Sequence, residues 1–245
     1  MRPVRKGVCP SKAGYLKYEQ AWPDLVSRLG RYCSYCERRI NTQLAVEHEQ
    51  PKKGEYGHPE LETAWDNFLL ACVNCNSTKK DKRVEFSELL FPDRDNTFAA
   101  YVYLQNGLIE VASQLQLKQR GQAQATLELM GLEKPLTPVK DTNGQAVAWD
   151  RISQRMEAWG IAQDSLDDLM AEPDSLGLRC SIVRNACSEG FFSIWMTVFS
   201  HDVDMRQRLI DAFSGTRESG CFDPHTTAPV CPAPNPDGLM QGSKV

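Results

Sequence analysis

The sequence predicts an α+β chain that is mostly helical: a metal-clamped unit at the N-terminal end, then a β-hairpin, then a helix-rich C-terminal region. Three observations carry this. Two Cys-x-x-Cys pairs, Cys33/Cys36 and Cys72/Cys75, lie within the stretch from Arg31 to Arg83. The segment AYVYLQNGLIEV, residues 100–111, places apolar residues on either side of Asn106-Gly107, a hairpin signal. Beyond the loop KDTNGQ, five segments have the apolar spacing of helices. The expected organisation is residues 1–90 as the metal-clamped unit, 91–223 as hairpin and helical region, and 224–245 as a disordered Pro-rich tail.

A chain of 245 residues, 41% hydrophobic and 24% charged, has the composition of a globular protein with a sizeable core. No apolar run approaches the roughly 18 residues of a membrane span, and FFSIWMTVF is about half that. MRPVRKGVCPSK has basic residues without an apolar core behind them, so no signal peptide is expected. The expected compartment is the reducing cytoplasm, where paired cysteines mean metal more often than disulfide. The net charge of −4 conceals an asymmetry. Residues 1–83 carry 15 Lys and Arg against 10 Asp and Glu, whereas 84–245 carry 13 against 22. A basic first part suits a polyanion, although such differences between segments are common.

Taken in order, the first thirty residues mix Arg2, Arg5, Lys6, Lys12 and Lys17 with Tyr15, Tyr18 and Trp22. They read as a solvated entry segment, or as an arm that touches phosphates. Pro23 suits the start of a helix over PDLVSRL, and Gly30 its end. Leu44-Ala45-Val46 leads a strand into Glu47-His48. VEFSELLF reads as a helix ended by Pro92. Asn106-Gly107 favours a tight primed turn. QRGQAQATLELMGLEKP reads as a helix stopped by Gly131 and Pro135. AWDRISQRMEAWG, SLDDLM, LRCSIVRNAC, FFSIWMTVF and DMRQRLIDAF then follow as helices, separated by Gly and Pro.

A Cys-x-x-Cys turn places two thiolates on one edge of a tetrahedron, so two such turns can close a four-thiolate zinc site. Such a site has no open position, so its Zn²⁺ would be structural, fixing the loop between Cys36 and Cys72. That loop and its flank carry Glu47, His48, Pro51, Asn67, Asn76 and Lys79. Glu47-His48, Asn67 and Cys72-x-x-Cys75-Asn76 together resemble the HNH (ββα-metal) endonucleases in their four-cysteine form, here as a His-Asn-Asn version. The resemblance implies a ββα-metal HNH core hydrolysing phosphodiesters, with DNA favoured. It implies His48 as the base for water, Glu47 and Asn76 as ligands of a catalytic Mg²⁺ or Mn²⁺, and Asn67 as the residue that orients the His48 loop. A neutral imidazole suits such a base. Lys79, one turn after Asn76, and its neighbour Lys80 are candidate phosphate contacts, although charged helix faces are usually only solvated. His58, in EYGHPE, reads as an exposed loop residue.

A wider likeness spans MRPVRKG, YCSYCE, VEHEQPK, WDNFLLACVNCN, YLQNGLIEV and FSGTRESGCFD, which resemble the HNH nuclease component (PtuB) of Septu-type antiphage systems. That resemblance implies a separate ATPase partner of the PtuA type. Because proteins of this kind also occur as retron effectors, it implies retron RNA/DNA and a reverse transcriptase as further partners. It also brings RNA such as tRNA into view as a substrate. A non-catalytic zinc module binding nucleic acid or protein is the rival reading. The acidic helical region would be the docking surface, with FFSIWMTVF itself read as core.

Overall fold

The computed structural model describes residues 1–133, 142–143 and 151–245. Most of the expected KDTNGQ loop, Pro135 and the first three residues of AWDRISQRMEAWG lie outside these. Helix α1, Trp22–Leu29, carries Pro23 in its first turn, where a missing N–H costs nothing. It buries Leu25 and Leu29 and stops at Gly30, whose φ of +75° suits glycine. A Cβ at Gly30 would also lie 2.8 Å from the Tyr32 ring.

The chain then turns through the first cysteine pair. Tyr32 bridges to Arg39, and Cys33 N–H donates to the Arg38 carbonyl. Glu37 takes the left-handed φ of +64° that closes this knuckle. Strand β1, Ala45–His48, pairs antiparallel with β2, Phe68–Ala71, with Val46 opposite Leu70 and His48 opposite Phe68. All of β2 is buried, so its sequence, FLLA, is apolar without alternation. Cys72 ends the strand and caps α2, Val73–Lys79, its sulfur accepting from Cys75 N–H at 3.4 Å. Two strands and this helix make a ββα unit, and Ser34 N–H to the Leu70 carbonyl (2.8 Å) ties the cysteine knuckle to it.

The short helix α3, Thr97–Ala100, leads into β3, Tyr101–Tyr103, which pairs with β4, Ile109–Val111. The hairpin is where the sequence placed it, but its turn is different. Leu104 N–H donates to Leu108 O and Gly107 N–H to Leu104 O, and only Gly107 has positive φ. This is a three-residue loop with a glycine bulge, not a primed two-residue turn. Helix α4, Leu117–Met130, ends at Gly131 in the left-handed conformation.

Two expected helices merge into α5, Arg151–Ala171, which runs straight through Gly160. Helices α6, Leu176–Glu189, α7, Phe192–Val198, and α8, Val203–Ala212, follow. The central α7 packs on α5, α6 and α8. With eight helices and two small hairpin sheets among the described residues, the chain is α+β and helix-rich.

Four further expectations need correction. VEFSELLF is not helical: Leu90 N–H is taken by Thr126 Oγ1 and Phe91 N–H by Asp95, so tertiary partners replace helical ones. The tail 224–245 is ordered. Val245 O accepts from the N–H groups of Asn96 and Ala233, Ser243 N–H donates to Arg94 O, and Lys244 pairs with Asp95 at 2.9 Å. Arg2 and Lys6 are neither solvated nor free for phosphate. Arg2 donates to Leu29 O, Ser214 O and Thr216, and Lys6 to Asp93, Glu49 and the carbonyls of Asp66 and Phe68. The bonds of Arg2 to Ser214 and Thr216, of Lys6 to Asp93 and of Val4 N–H to Pro92 O cross the expected boundary at residue 90, and one buried apolar cluster spans it.

Candidate active site

The four cysteines of the knuckle and of the α2 N-terminus converge. Cys33, Cys36, Cys72 and Cys75 are buried, with their sulfurs all within 4.8 Å of one another. Cys36 Sγ and Cys72 Sγ are 3.8 Å apart, the edge of a tetrahedron with metal–sulfur bonds of about 2.3 Å. Arg38 brings a guanidinium N–H to 3.3 Å from Cys72 Sγ, a donor suited to a thiolate. Among the described residues this is the group of three or more Cys, His, Asp or Glu side chains able to hold a metal ion, and its donor set fits zinc.

On the other side of Cys75 lies a cleft of about 250 Å³, lined by Glu47, His48, Lys52, Lys53, Asn76, Lys79 and Lys80, with Tyr18, Val46, Pro51 and Asp81 completing the wall. His48 closes β1 and is 8% exposed. Its ring stands edge-on to Phe68, its partner across the sheet, and to Tyr18 from the turn before α1. His48 Nε2 lies 2.9 Å from the Glu62 carbonyl oxygen. A carbonyl only accepts, so Nε2 carries the proton and Nδ1 is the basic nitrogen of the neutral ring. Burial holds the imidazole below its ordinary pKa against the pull of the Glu62 carbonyl, and the nearby Lys52 and Lys79 charges lower it further.

Asn67 does not line the cleft; it sits behind His48. Its Oδ1 accepts from Gln50 N–H at 2.8 Å and its Nδ2 donates to Gln50 O at 2.9 Å. Its own carbonyl accepts from Glu49 N–H. The side chain thus splices the chain leaving β1 to the turn entering β2. A fully buried quartet backs the same place. Glu49 accepts from Lys6 (3.1 Å) and Arg94 (3.0 Å), while Lys6 also meets Asp93 at 2.7 Å. Burial pushes the Glu49 carboxyl up to about 7 against the pull of Arg94.

Glu47 and Lys79 face each other across the cleft floor, Nζ to Oε1 2.9 Å, each with only 2% of its side chain exposed. Burial raises the Glu47 pKa while Lys79 opposes the rise. Lys79 is the partner of Oε1, as ion pair and charge-assisted hydrogen bond, so a metal cation at that oxygen has to share the carboxylate with the ammonium or displace it. A carboxylate oxygen and the half-buried Asn76 amide beside an open cleft are donor types that a hard divalent cation takes.

The structure therefore brings Glu47, His48, Asn76, Lys79 and Lys80 to one cleft and puts Asn67 behind it. His58 is outside, paired with Glu60 at 3.1 Å. Sequence reasoning missed Tyr18, Lys52 and Lys53. The lysines follow Pro51 directly and could have been found as a basic step after His48. Lys52 lies 3.4 Å from the Tyr18 ring centroid and pairs with Glu62. Tyr18 had no local signal, since a turn thirty residues upstream carries it to β1.

Residues 33–82 match the family described as HNH endonuclease. The chain is also similar to a protein of Vibrio cholerae serotype O1 biovar El Tor named "Retron Vc95 putative HNH endonuclease", 28% identical over 114 residues, which cover 43% of this chain and 54% of that one. The chain thus spans about half the length of the relative it matches. No helix among the described residues is long and apolar enough to cross a membrane. The HNH endonuclease match at residues 33–82 spans the cysteine quartet, His48, Asn67 and Asn76.

Proposed function

We propose that this chain is a metal-dependent endonuclease that hydrolyses nucleic-acid phosphodiester bonds, with DNA as the favoured substrate. The observation that carries the reading is His48: a buried, neutral imidazole with its tautomer set by the Glu62 carbonyl, in a cleft shared by a carboxylate, an amide and four lysines. His48 Nδ1 accepts the proton of the attacking water. Asn67 keeps His48 in place through the Gln50 backbone. Glu47 and Asn76 would hold Mg²⁺ or Mn²⁺, which supplies charge neutralisation at the phosphoryl and leaving oxygens. Lys80, with Lys52 and Lys53, receives the flanking phosphates. Cys33, Cys36, Cys72 and Cys75 hold a structural Zn²⁺ that takes no part in chemistry.

The setting we infer is an antiphage defence module in the cytoplasm. The wider likeness to PtuB of Septu-type systems supports this, as does similarity to a relative whose name places it with a retron. A PtuA-type ATPase is the inferred partner, with retron RNA/DNA and reverse transcriptase where the module includes them. Helix α7 is buried and offers no docking face to such a partner.

The test is cleavage of supercoiled plasmid, single-stranded DNA and total tRNA by the purified chain, with Mg²⁺ or Mn²⁺, alone and with the ATPase. Plasmid cutting that His48→Ala abolishes is expected. Cutting of tRNA alone would replace the substrate, and His48→Ala cutting at the wild-type rate would leave only a binding module.

A further inference from the structure

The buried pair Glu47–Lys79 has a consequence that the general reaction does not require. Lys79 ends α2, one turn after Asn76, and its stem is packed away so that the ammonium reaches the floor of the cleft. There it stands 2.9 Å from Glu47 Oε1. The ammonium holds that oxygen by charge and hydrogen bond together, and it is the partner at that oxygen that a metal would have to displace. A divalent cation bound through Glu47 would sit beside this ammonium in a site with little water to screen the repulsion. Ammonium and metal therefore compete for one carboxylate. The rest of the cleft lining carries Lys52, Lys53 and Lys80 against one acidic residue, Asp81, a net positive charge that draws a polyanion to the mouth.

We propose that Lys79 is a resident cation that exchanges with the catalytic metal: it occupies Glu47 until a substrate phosphate offers the ammonium another partner, which frees the carboxylate for Mg²⁺ or Mn²⁺. The inference rests on the metal-dependent reading above and adds to it an order of events. Metal binds weakly to the free protein and tightly once nucleic acid is present. By linkage the reverse also holds, and metal tightens nucleic-acid binding by the same factor. The device keeps a nuclease without substrate from carrying its catalytic ion.

The readout is Mn²⁺ binding, followed by loss of the free-ion electron paramagnetic resonance signal. It uses the full zinc-loaded chain in a His48→Ala background so that no strand is cut. Short duplex DNA is added or omitted. The expected result is Mn²⁺ affinity that duplex raises by about tenfold or more, within the usual range of coupling. Lys79→Met should bind Mn²⁺ at least about tenfold more tightly without DNA, and duplex should change that little. Because Lys79→Met leaves Glu47 buried and unpaired, zinc content and melting are checked beside it. Glu47→Gln/Lys79→Met, which leaves no such charge, should fold and bind no Mn²⁺ at this site. Equal Mn²⁺ affinity in the parent and Lys79→Met overturns the exchange while leaving the metal site standing. No Mn²⁺ binding in parent or Lys79→Met, with or without duplex, overturns the metal-dependent reading and the exchange with it.

Discussion

Cys75 and Asn76 are adjacent in the chain, yet they face two regions with opposite demands. On the Cys75 side, four sulfurs close on one another within 4.8 Å, all buried, with no position left for water or substrate. On the Asn76 side, a carboxylate, an imidazole and an amide edge an open cleft rimmed by lysines. The first region has soft donors and a closed shape, which suit a structural ion. The second has hard donors and an entrance, which suit a transient ion and a phosphate. Helix α2 joins them, so the sulfur site fixes where Asn76 and Lys79 stand without joining the chemistry.

Mutations should separate the two regions. The largest effect is expected from Cys72→Ser. Structural zinc contributes on the order of 10 kcal/mol or more to such folds, so zinc should be lost from mass-spectrometric metal analysis, with melting and cleavage lost together. His48→Ala is the contrast: cleavage should fall by about 10²–10⁴-fold, with zinc content and melting near the wild-type values. If both variants lose zinc, the regions are not separable.

Asn67→Ala falls between them, because it removes two hydrogen bonds to the Gln50 backbone from a buried position. A destabilisation of about 1–3 kcal/mol by denaturant melts is expected, with slower cleavage at unchanged zinc content. A fall in stability with no fall in cleavage would show that the splice does not serve His48. The pH profile probes the cleft alone. The His48 pKa is depressed, so the neutral base persists below the ordinary imidazole value of about 6.5. Cleavage should therefore hold as pH drops through that value and fail only below it. An acid limb at or above it would contradict the burial argument. Lys80→Ala should have the smallest effect: an exposed side chain whose loss weakens binding modestly and reduces the slope of log affinity against log salt by about one.

Much of this contrast was legible in the sequence. Both cysteine spacings, the strand running into His48 and the asparagine after Cys75 are local patterns, and local geometry realises them directly. Asn67 stands out in the sequence only through the motif, and its hydrogen bonds to the Gln50 backbone are visible only in the structure. What local pattern could not reveal was where distant polar groups would find partners. Lys6 looks like any surface lysine until Glu49 and Asp93 surround it, 43 and 87 residues away. VEFSELLF has helical spacing, but Thr126 and Asp95 take its N–H groups. The Pro-rich tail has no core-building period, and it is held by backbone and side-chain bonds to Arg94, Asp95 and Asn96. The Glu47–Lys79 pair lay within reach as two residues of one motif, yet nothing in the spacing said that they would face each other.

The division between a closed ion and an open one can be tested in a single preparation. The purified chain is freed of loosely held ions by gel filtration, its metal content is measured, and plasmid cleavage is followed before and after Mg²⁺ or Mn²⁺ is added. One zinc per chain, no cleavage at first, and cleavage on addition is the predicted result. Cleavage by the zinc-loaded chain without any added hard cation would contradict it.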